Sequence, residues 1–295
     1  MSATVVHGFI DDVERTRRLA EALGAPFGLI DLHVFPDGET LPTLPVFEAR
    51  TAILYRSLHH PQDRLFPTLL AADAYRRVGV ERLVLVAPYL CYLRQDAVFR
   101  PGQPLSRDVI CGLLGQAFDA VVTVQAHLHR TPDLSVALGR PAVNLDIAAA
   151  LAEALGAGPD SVIVGPDMES APWVAQAASA VGARALTFSK VRHGDHAVEL
   201  SLPRDARLAG HRIVLLDDVC SSGGTLEAAV GKLVEAGAAA IDIGLAHALF
   251  DTATLARLRA AGAGRVLSSD SIPHSTNGLD LAPRLARALQ DEGYA

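Results

Sequence analysis

The chain is poor in the residues that staple or gate a fold. Of 295 residues only 3 are cysteine, 2 methionine and 1 tryptophan, and aromatics make up 5%. Cys91, Cys111 and Cys220 are odd in number and far apart, which excludes a disulfide framework and a CxxC metal site and leaves reduced thiols in or near the core. No run approaches the ~18 consecutive apolar residues of a membrane span, and the start, MSATVVHGFIDD, lacks the positive-then-apolar pattern of a signal peptide. A soluble, cytoplasmic protein without a membrane partner is expected. Positive charge is in deficit too. The 26 Lys and Arg against 33 Asp and Glu give a net charge of −7, which argues against a surface built to coat nucleic acid but leaves room for a local anion site.

What is present is apolar material, 50% of the chain against 20% charged, enough to bury a core in each of two domains. Short β-branched and aliphatic runs alternate with stretches of helical spacing, the pattern of a parallel sheet covered by helices. The spacing predicts strands at 5–9, 52–55, 83–87, 120–124, 161–164, 185–188, 213–216, 241–246 and 265–267. Helices are predicted at 12–23, 64–78, 106–117, 147–155, 171–181, 225–236 and 252–261. A second series of elements starts after GRPAVNLDI, which predicts domains at 1–146 and 147–280, with a C-terminal helix in 281–295 packing on the first. Each half holds a strand, a polar or glycine-rich loop and a helix, as a duplicated domain would.

The sharpest local signal is IVLLDDVCSSGGT over residues 213–225, running directly into LEAAV. A buried strand delivers Asp217 and Asp218 to its C-terminal edge, where open α/β sheets bind ligands. Ser221, Ser222, Gly223 and Gly224 follow, with Thr225 as a hydroxyl cap for the next helix. Small residues let backbone N–H groups approach an anion, and the helix N-terminus adds about half a positive charge. Two carboxylates beside such a cradle suit a phosphorylated sugar: the loop for the phosphate, the carboxylates for the hydroxyls.

This motif resembles the 5-phosphoribosyl 1-diphosphate (PRPP) loop shared by phosphoribosyltransferases and PRPP synthetases, and alone it does not separate them. Upstream, Tyr92-Leu93-Arg94-Gln95-Asp96, continuing through Phe99-Arg100-Pro101-Gly102-Gln103-Pro104-Leu105-Ser106, is similar to the RQD-to-PxS segment with which ribose-phosphate diphosphokinases contact ATP. The stretch Phe35-Pro36-Asp37-Gly38-Glu39 resembles the family's FxDGE loop, which reaches the ATP site of a neighbouring subunit, so a homo-oligomer, dimer or hexamer, is implied. Residues 123–130, TVQAHLHR, resemble the metal-binding TVDxHxHR stretch of archaeal-type members. His127 is the expected metal-side residue, with His129 left open beside it. Residues 162–167, VIVGPD, look like the strand ending in SPD, which makes Asp167 a ligand of Mg²⁺ and ribose. Lys190 and Arg192, in FSKVR, resemble the Lys-x-Arg pair of the family's flexible catalytic loop, and residues 269–274, SDSIPH, resemble TDTIPH.

The resemblance therefore implies an α/β protein of two tandem phosphoribosyltransferase-like domains, each a mostly parallel sheet flanked by helices. It implies a ribose-phosphate diphosphokinase: Mg²⁺ as cofactor, ATP bound by Phe35, Asp37, Glu39, Arg94, Gln95 and Asp96, and ribose 5-phosphate held by Asp217, Asp218 and residues 221–225. The alternatives are a PRPP-consuming transferase or hydrolase and a non-catalytic, synthetase-associated regulatory subunit. Two departures from the family pattern stand out: Gln125 replaces the usual aspartate near the metal, and Glu169-Ser170 stand where small residues are common.

Overall fold

The structure, a computed structural model, describes residues 4–128, 133–193, 197–203 and 206–295, with side chains described outside 190–199. The chain forms two compact units, one made of the chain up to Leu145 together with Leu281–Ala295, the other of Asp146–Asp280.

In the first unit the strands are β1 (Thr4–Phe9), β2 (Phe27–Val34), β3 (Thr40–Thr43), β4 (Thr51–Tyr55), β5 (Arg82–Val86), β6 (Ala120–Val124) and β7 (Ala142–Leu145). The helices are α1 (Val13–Leu23), α2 (Pro61–Arg77), α3 (Ser106–Ala117) and α4 (Leu134–Leu138). The sheet order is β3-β2-β1-β4-β5-β6-β7, parallel except for the antiparallel β2–β3 pair. Register is set by the apolar runs: Val6 lies opposite Ile53, Ile53 opposite Val84 and Val84 opposite Ala120. TAILY, RLVLV and AVVTV are buried nearly throughout because helices cover both faces, so they read as continuous apolar runs rather than alternating ones.

The second unit contains α5 (Ala148–Ala154), β8 (Ser161–Gly165), α6 (Ala171–Val181), β9 (Arg184–Thr187), β10 (Ser189–His193), β11 (Ala197–Ser201) and β12 (Arg212–Cys220). It continues with α7 (Gly224–Glu235), β13 (Ala240–Ala248), α8 (Thr252–Ala260), β14 (Val266–Ser269) and β15 (Asn277–Leu279). Its six strands run β15-β14-β13-β12-β8-β9, all parallel, and β10 and β11 form a separate antiparallel hairpin. Helix α9 (Ala282–Asp291) then rejoins the first unit, lying against α1 and β7, and Arg82 donates to the Gly293 carbonyl at 2.9 Å.

Both units wind the same way. In each, the first strand crosses to one neighbour (β1 to β2, β8 to β9), a short antiparallel excursion follows, and the chain returns on the other side of that first strand (β4, β12) before stepping outward. Direction therefore switches between β1 and β4 and between β8 and β12. The carboxyl ends of strands at such a switch point form the crevice where ligands bind in open α/β sheets.

Several elements differ from the sequence-based expectation. Strands β2, β3, β7 and β15 lie at or near sheet edges, short or with polar residues among the apolar ones, and gave no buried-run signal. Lys190 and Arg192, whose resemblance implies a flexible loop, have their backbone on β10 of the β10–β11 hairpin. The three cysteines are buried and in no disulfide; burial pushes the Cys91 thiol up to about 12 and Cys111 up to about 11, so neither is poised as a nucleophile.

Candidate active site

In the second unit the site grows out of β12. Ile213 to Leu216 are fully buried between β8 and β13, and the strand then surfaces with Asp217 and Asp218 half-buried. Each carboxylate is steered by the backbone: Asp217 Oδ1 accepts from the Asp218 N–H at 3.0 Å and Asp218 Oδ1 from the Val219 N–H at 2.7 Å. Ser221 and Ser222 are exposed, Gly223 is buried, and α7 begins at Gly224.

The expected hydroxyl cap is not what starts α7. Gly223 holds the cap position with φ of +80°, no side chain caps the helix, and Thr225 lies inside its first turn. Glycine reaches the left-handed region without strain, and a Cβ at 223 would lie 2.4 Å from Thr254 Cγ2. Helix α8, by contrast, is capped by Asp251, which accepts from the Thr254 N–H at 2.8 Å. Without a side-chain cap, the first N–H groups of α7 are directed at whatever occupies the loop, the arrangement that binds phosphate.

Across the switch point, β8 places Asp167 two residues past its end. Asp167 Oδ1 accepts from the N–H groups of Glu169 (3.1 Å) and Ser170 (3.3 Å), and Ser170 Oγ donates back to the Asp167 carbonyl at 2.5 Å. Ser170 packs so closely on Gly165 that a Cβ there would lie 2.0 Å from its Oγ. Burial, followed by the charges of Asp218 and Asp167, pushes the Asp217 carboxyl well above the usual carboxylate range. Three acids thus concentrate negative potential beside the start of α7, a setting that favours a cation or hydroxyl donors.

Among the described residues no group of three or more His, Cys, Asp or Glu is arranged to hold a metal ion by itself. His127, half-buried three residues beyond β6, belongs to the first unit, and Asp167 belongs to the second. His129 and Arg130 lie outside the described residues. Asp167 supplies the kind of oxygen ligand that suits Mg²⁺, which is commonly held by one or two carboxylates plus substrate phosphates.

The ATP-type segments of the first unit all leave the carboxyl edge of its sheet. Phe35, Asp37 and Glu39 sit in the exposed β2–β3 turn, closed by Phe35 and Glu39 (2.8 Å) and by Asp37 Oδ1, which accepts from the Glu39 N–H at 3.1 Å. After β5, Tyr92 takes a left-handed φ of +63°, and Gln62 donates to its hydroxyl at 2.9 Å. Arg94 and Gln95 are exposed, whereas Asp96 is buried, so of this trio only two present side chains to solvent. Gln125 is buried with φ of +41°, its N–H donating to the Leu145 carbonyl at 2.8 Å. The backbones of Lys190 and Arg192 lie on β10, opposite Leu200 and Val198; their side chains are outside those described.

One cluster gave no usable sequence signal. At the switch point of the first unit, Asp11 and Asp12 after β1 meet Arg56 after β4 and Arg64 on α2. Arg64 Nη1 and Arg56 Nη1 reach Asp12 Oδ2 at 2.7 and 3.2 Å, Arg64 Nη2 reaches Asp11 Oδ2 at 2.6 Å, and Arg56 also bonds Asp11. Asp12 is fully buried and Arg56 is 2% exposed. The place that carries clustered acids in the second unit is here filled by its own ion pairs.

The family described as the N-terminal domain of ribose phosphate pyrophosphokinase matches residues 12–117, and the phosphoribosyl transferase domain matches residues 138–290. The ribose-phosphate pyrophosphokinase of Methanopyrus kandleri is 30% identical over 285 residues, 95% of this chain and 97% of that protein. The Pyrococcus furiosus protein of the same name is 28% identical, covering 90% of this chain and 94% of its own. A phosphoribosylpyrophosphate synthetase structure from Mycobacterium smegmatis superposes with a TM-score of 0.86 over 99% of both chains at 23% identity, which speaks to the fold. With both domain families in order along the chain and a relative that matches it nearly end to end, the protein belongs to the ribose-phosphate pyrophosphokinase family.

Proposed function

We propose that the chain is a ribose-phosphate diphosphokinase, transferring the diphosphoryl group of ATP to the C1 hydroxyl of ribose 5-phosphate and releasing AMP. The observation that carries this reading is the uncapped start of α7 beside the acidic trio: an anion cradle and hydroxyl acceptors on adjoining strand ends. Residues 221–225 hold the 5-phosphate through backbone N–H groups and hydroxyls, and Asp217 and Asp218 accept from the ribose hydroxyls. Arg94 and Gln95, exposed after β5, bind the nucleotide together with Asp96. The Phe35–Glu39 turn serves the same nucleotide from a neighbouring subunit of a homo-oligomer, a role that its exposure supports.

The C1 oxygen attacks the β-phosphorus as the bond from that phosphorus to the oxygen bridging the α-phosphate breaks. Such a transfer asks the protein mainly for alignment and charge stabilisation. Lys190 and Arg192 supply positive charge to the transferring group, and His127 and Asp167 are the residues that would hold Mg²⁺. When bound, that ion neutralises phosphate charge. The match to the synthetase N-terminal domain over residues 12–117 favours this reading over a PRPP-consuming enzyme. Purified protein given Mg-ATP and ribose 5-phosphate is expected to form AMP and PRPP in equal amounts; ADP as product, or no turnover, would overturn the reading.

The raised Asp217 carboxyl adds a pH signature. Below its shifted pKa the group is protonated and cannot attract a cation, so Mg²⁺-supported ribose 5-phosphate binding should weaken as pH falls through a value above the ordinary carboxylate range, with proton release on binding. Folding carries the opposite sign: a raised carboxyl costs stability as pH rises through that pKa. Titration calorimetry in buffers of differing ionisation enthalpy measures the released proton. Asp217→Asn should abolish it, and release unchanged in the variant would assign it elsewhere.

A further inference from the structure

We propose that Arg257, on α8, is a positioning residue that orients the phosphate loop from behind. Its Nη2 donates to the Ser222 carbonyl at 2.8 Å and to Thr254 Oγ1 at 3.2 Å, while its Nε donates to Glu227 Oε2 in the first turn of α7 at 3.2 Å. One planar fork thus ties the loop, the helix that follows it and the helix behind it.

The consequence lies in a single peptide plane. In a trans peptide the carbonyl of Ser222 and the N–H of Gly223 point in opposite directions, so a guanidinium that holds the carbonyl on the α8 side turns the Gly223 N–H toward the other side, where the anion sits. Thr254 reinforces the orientation sterically, because its Cγ2 occupies the space a Cβ on residue 223 would need. Asp251, capping the Thr254 N–H at 2.8 Å, fixes the start of the helix carrying both residues. The Arg257 charge is itself paired with Glu227. Its contribution to anion binding is therefore the geometry of the loop more than its field.

This inference rests on the assignment of residues 221–225 to the phosphate, and the test separates the two. Affinities for ribose 5-phosphate and, as a second probe, inorganic phosphate are measured calorimetrically on the full-length protein, the parent beside Arg257→Ala and Arg257→Lys. Losing one charge-assisted hydrogen bond is expected to weaken both probes about tenfold in Arg257→Ala, raising the KM for ribose 5-phosphate while the KM for ATP and kcat stay within about twofold. Lysine keeps the charge but cannot span three acceptors, so Arg257→Lys should fall between. Unchanged affinity in Arg257→Ala, full rescue by lysine, or equal loss for ATP and ribose 5-phosphate overturns the positioning role. A parent that binds inorganic phosphate but not ribose 5-phosphate refutes the sugar-phosphate assignment and leaves the Arg257 comparison readable on phosphate; a parent that binds neither refutes both.

Discussion

Asp12→Ala is expected to destabilise the first unit by about 3–5 kcal/mol, the cost of leaving a buried charge without its counter-ion. Asp12 is fully buried and takes Arg56 and Arg64 on one carboxylate oxygen, with Arg15 at 3.9 Å from the other. Removing it leaves two guanidinium groups, 2% and 9% exposed, sharing Asp11 as their remaining carboxylate among the described residues, while Arg64 keeps the Ser57 carbonyl. Burial already pushes Arg56 below the usual range, and Arg64 beside it pushes the same way. Burial likewise raises Asp12, against the pull of Arg64 and Arg56. Desolvation thus outweighs pairing at both groups, and two results should follow. Asp11→Ala should cost less, because its carboxylate is 43% exposed and water replaces part of what is lost. Replacing Asp12 and Arg56 together by apolar residues should recover much of the single-variant loss. Urea denaturation of the three variants checks this; a loss below about 1 kcal/mol for Asp12→Ala would show that the network is not what holds the switch point closed.

The two units share one winding, and the contents of the switch point divide their labour. In the first, the carboxyl ends of β1 and β4 are neutralised internally, so that crevice offers little unpaired charge to a ligand. In the second, burial and the neighbouring charges of Asp218 and Asp167 raise the Asp217 carboxyl beside a helix start that has no side-chain cap. The same architecture thus hosts a structural plug in one place and a candidate site in the other, which is why function has to be argued from the residues at the crevice and not from the fold.

How much of this the sequence discloses depends on whether the signal is local. Strand β6 and helices α3 and α6 are legible to the residue, β6 as an unbroken aliphatic and β-branched run and the helices by their spacing, with Gly182 ending α6. Strand β12 is legible as a buried run, and the two aspartates that end it mark the site. Strand β2, FGLIDLHV, carries Asp31 and His33 on an exposed stretch next to the sheet edge and loses the apolar continuity that betrays its neighbours. The start of α7 is visible as glycine-rich, yet which residue caps it depends on Thr254, thirty-odd positions away, and no local rule finds that. The Asp12–Arg56 and Asp12–Arg64 pairs span separations of 44 and 52 residues. From sequence, Asp11-Asp12 reads as a helix start and Arg56 as the end of a strand; only the adjacency of β1 and β4 turns them into a network.

Lys190→Ala should lower kcat by about 10²–10³ while leaving the KM for ribose 5-phosphate within a few fold. The size is that of one donor removed from a site where charge develops in the transition state. It applies here if Lys190, one residue into β10, meets the transferring diphosphoryl group only as the bridging bond to the α-phosphate stretches. Ribose 5-phosphate is held on the proposed reading by residues 221–225 and by Asp217 and Asp218, none of which the substitution touches, so ground-state binding should persist. A loss in kcat and kcat/KM of the same size is the signature of an interaction made only in the transition state, whereas a rise in KM at unchanged kcat would make Lys190 a uniform binder of nucleotide. Arg192→Ala, two residues along the same strand, provides the comparison. If the two lysine and arginine charges act on one group, the double variant should lose less than the product of the single losses; strictly multiplicative losses would assign them to separate phosphates.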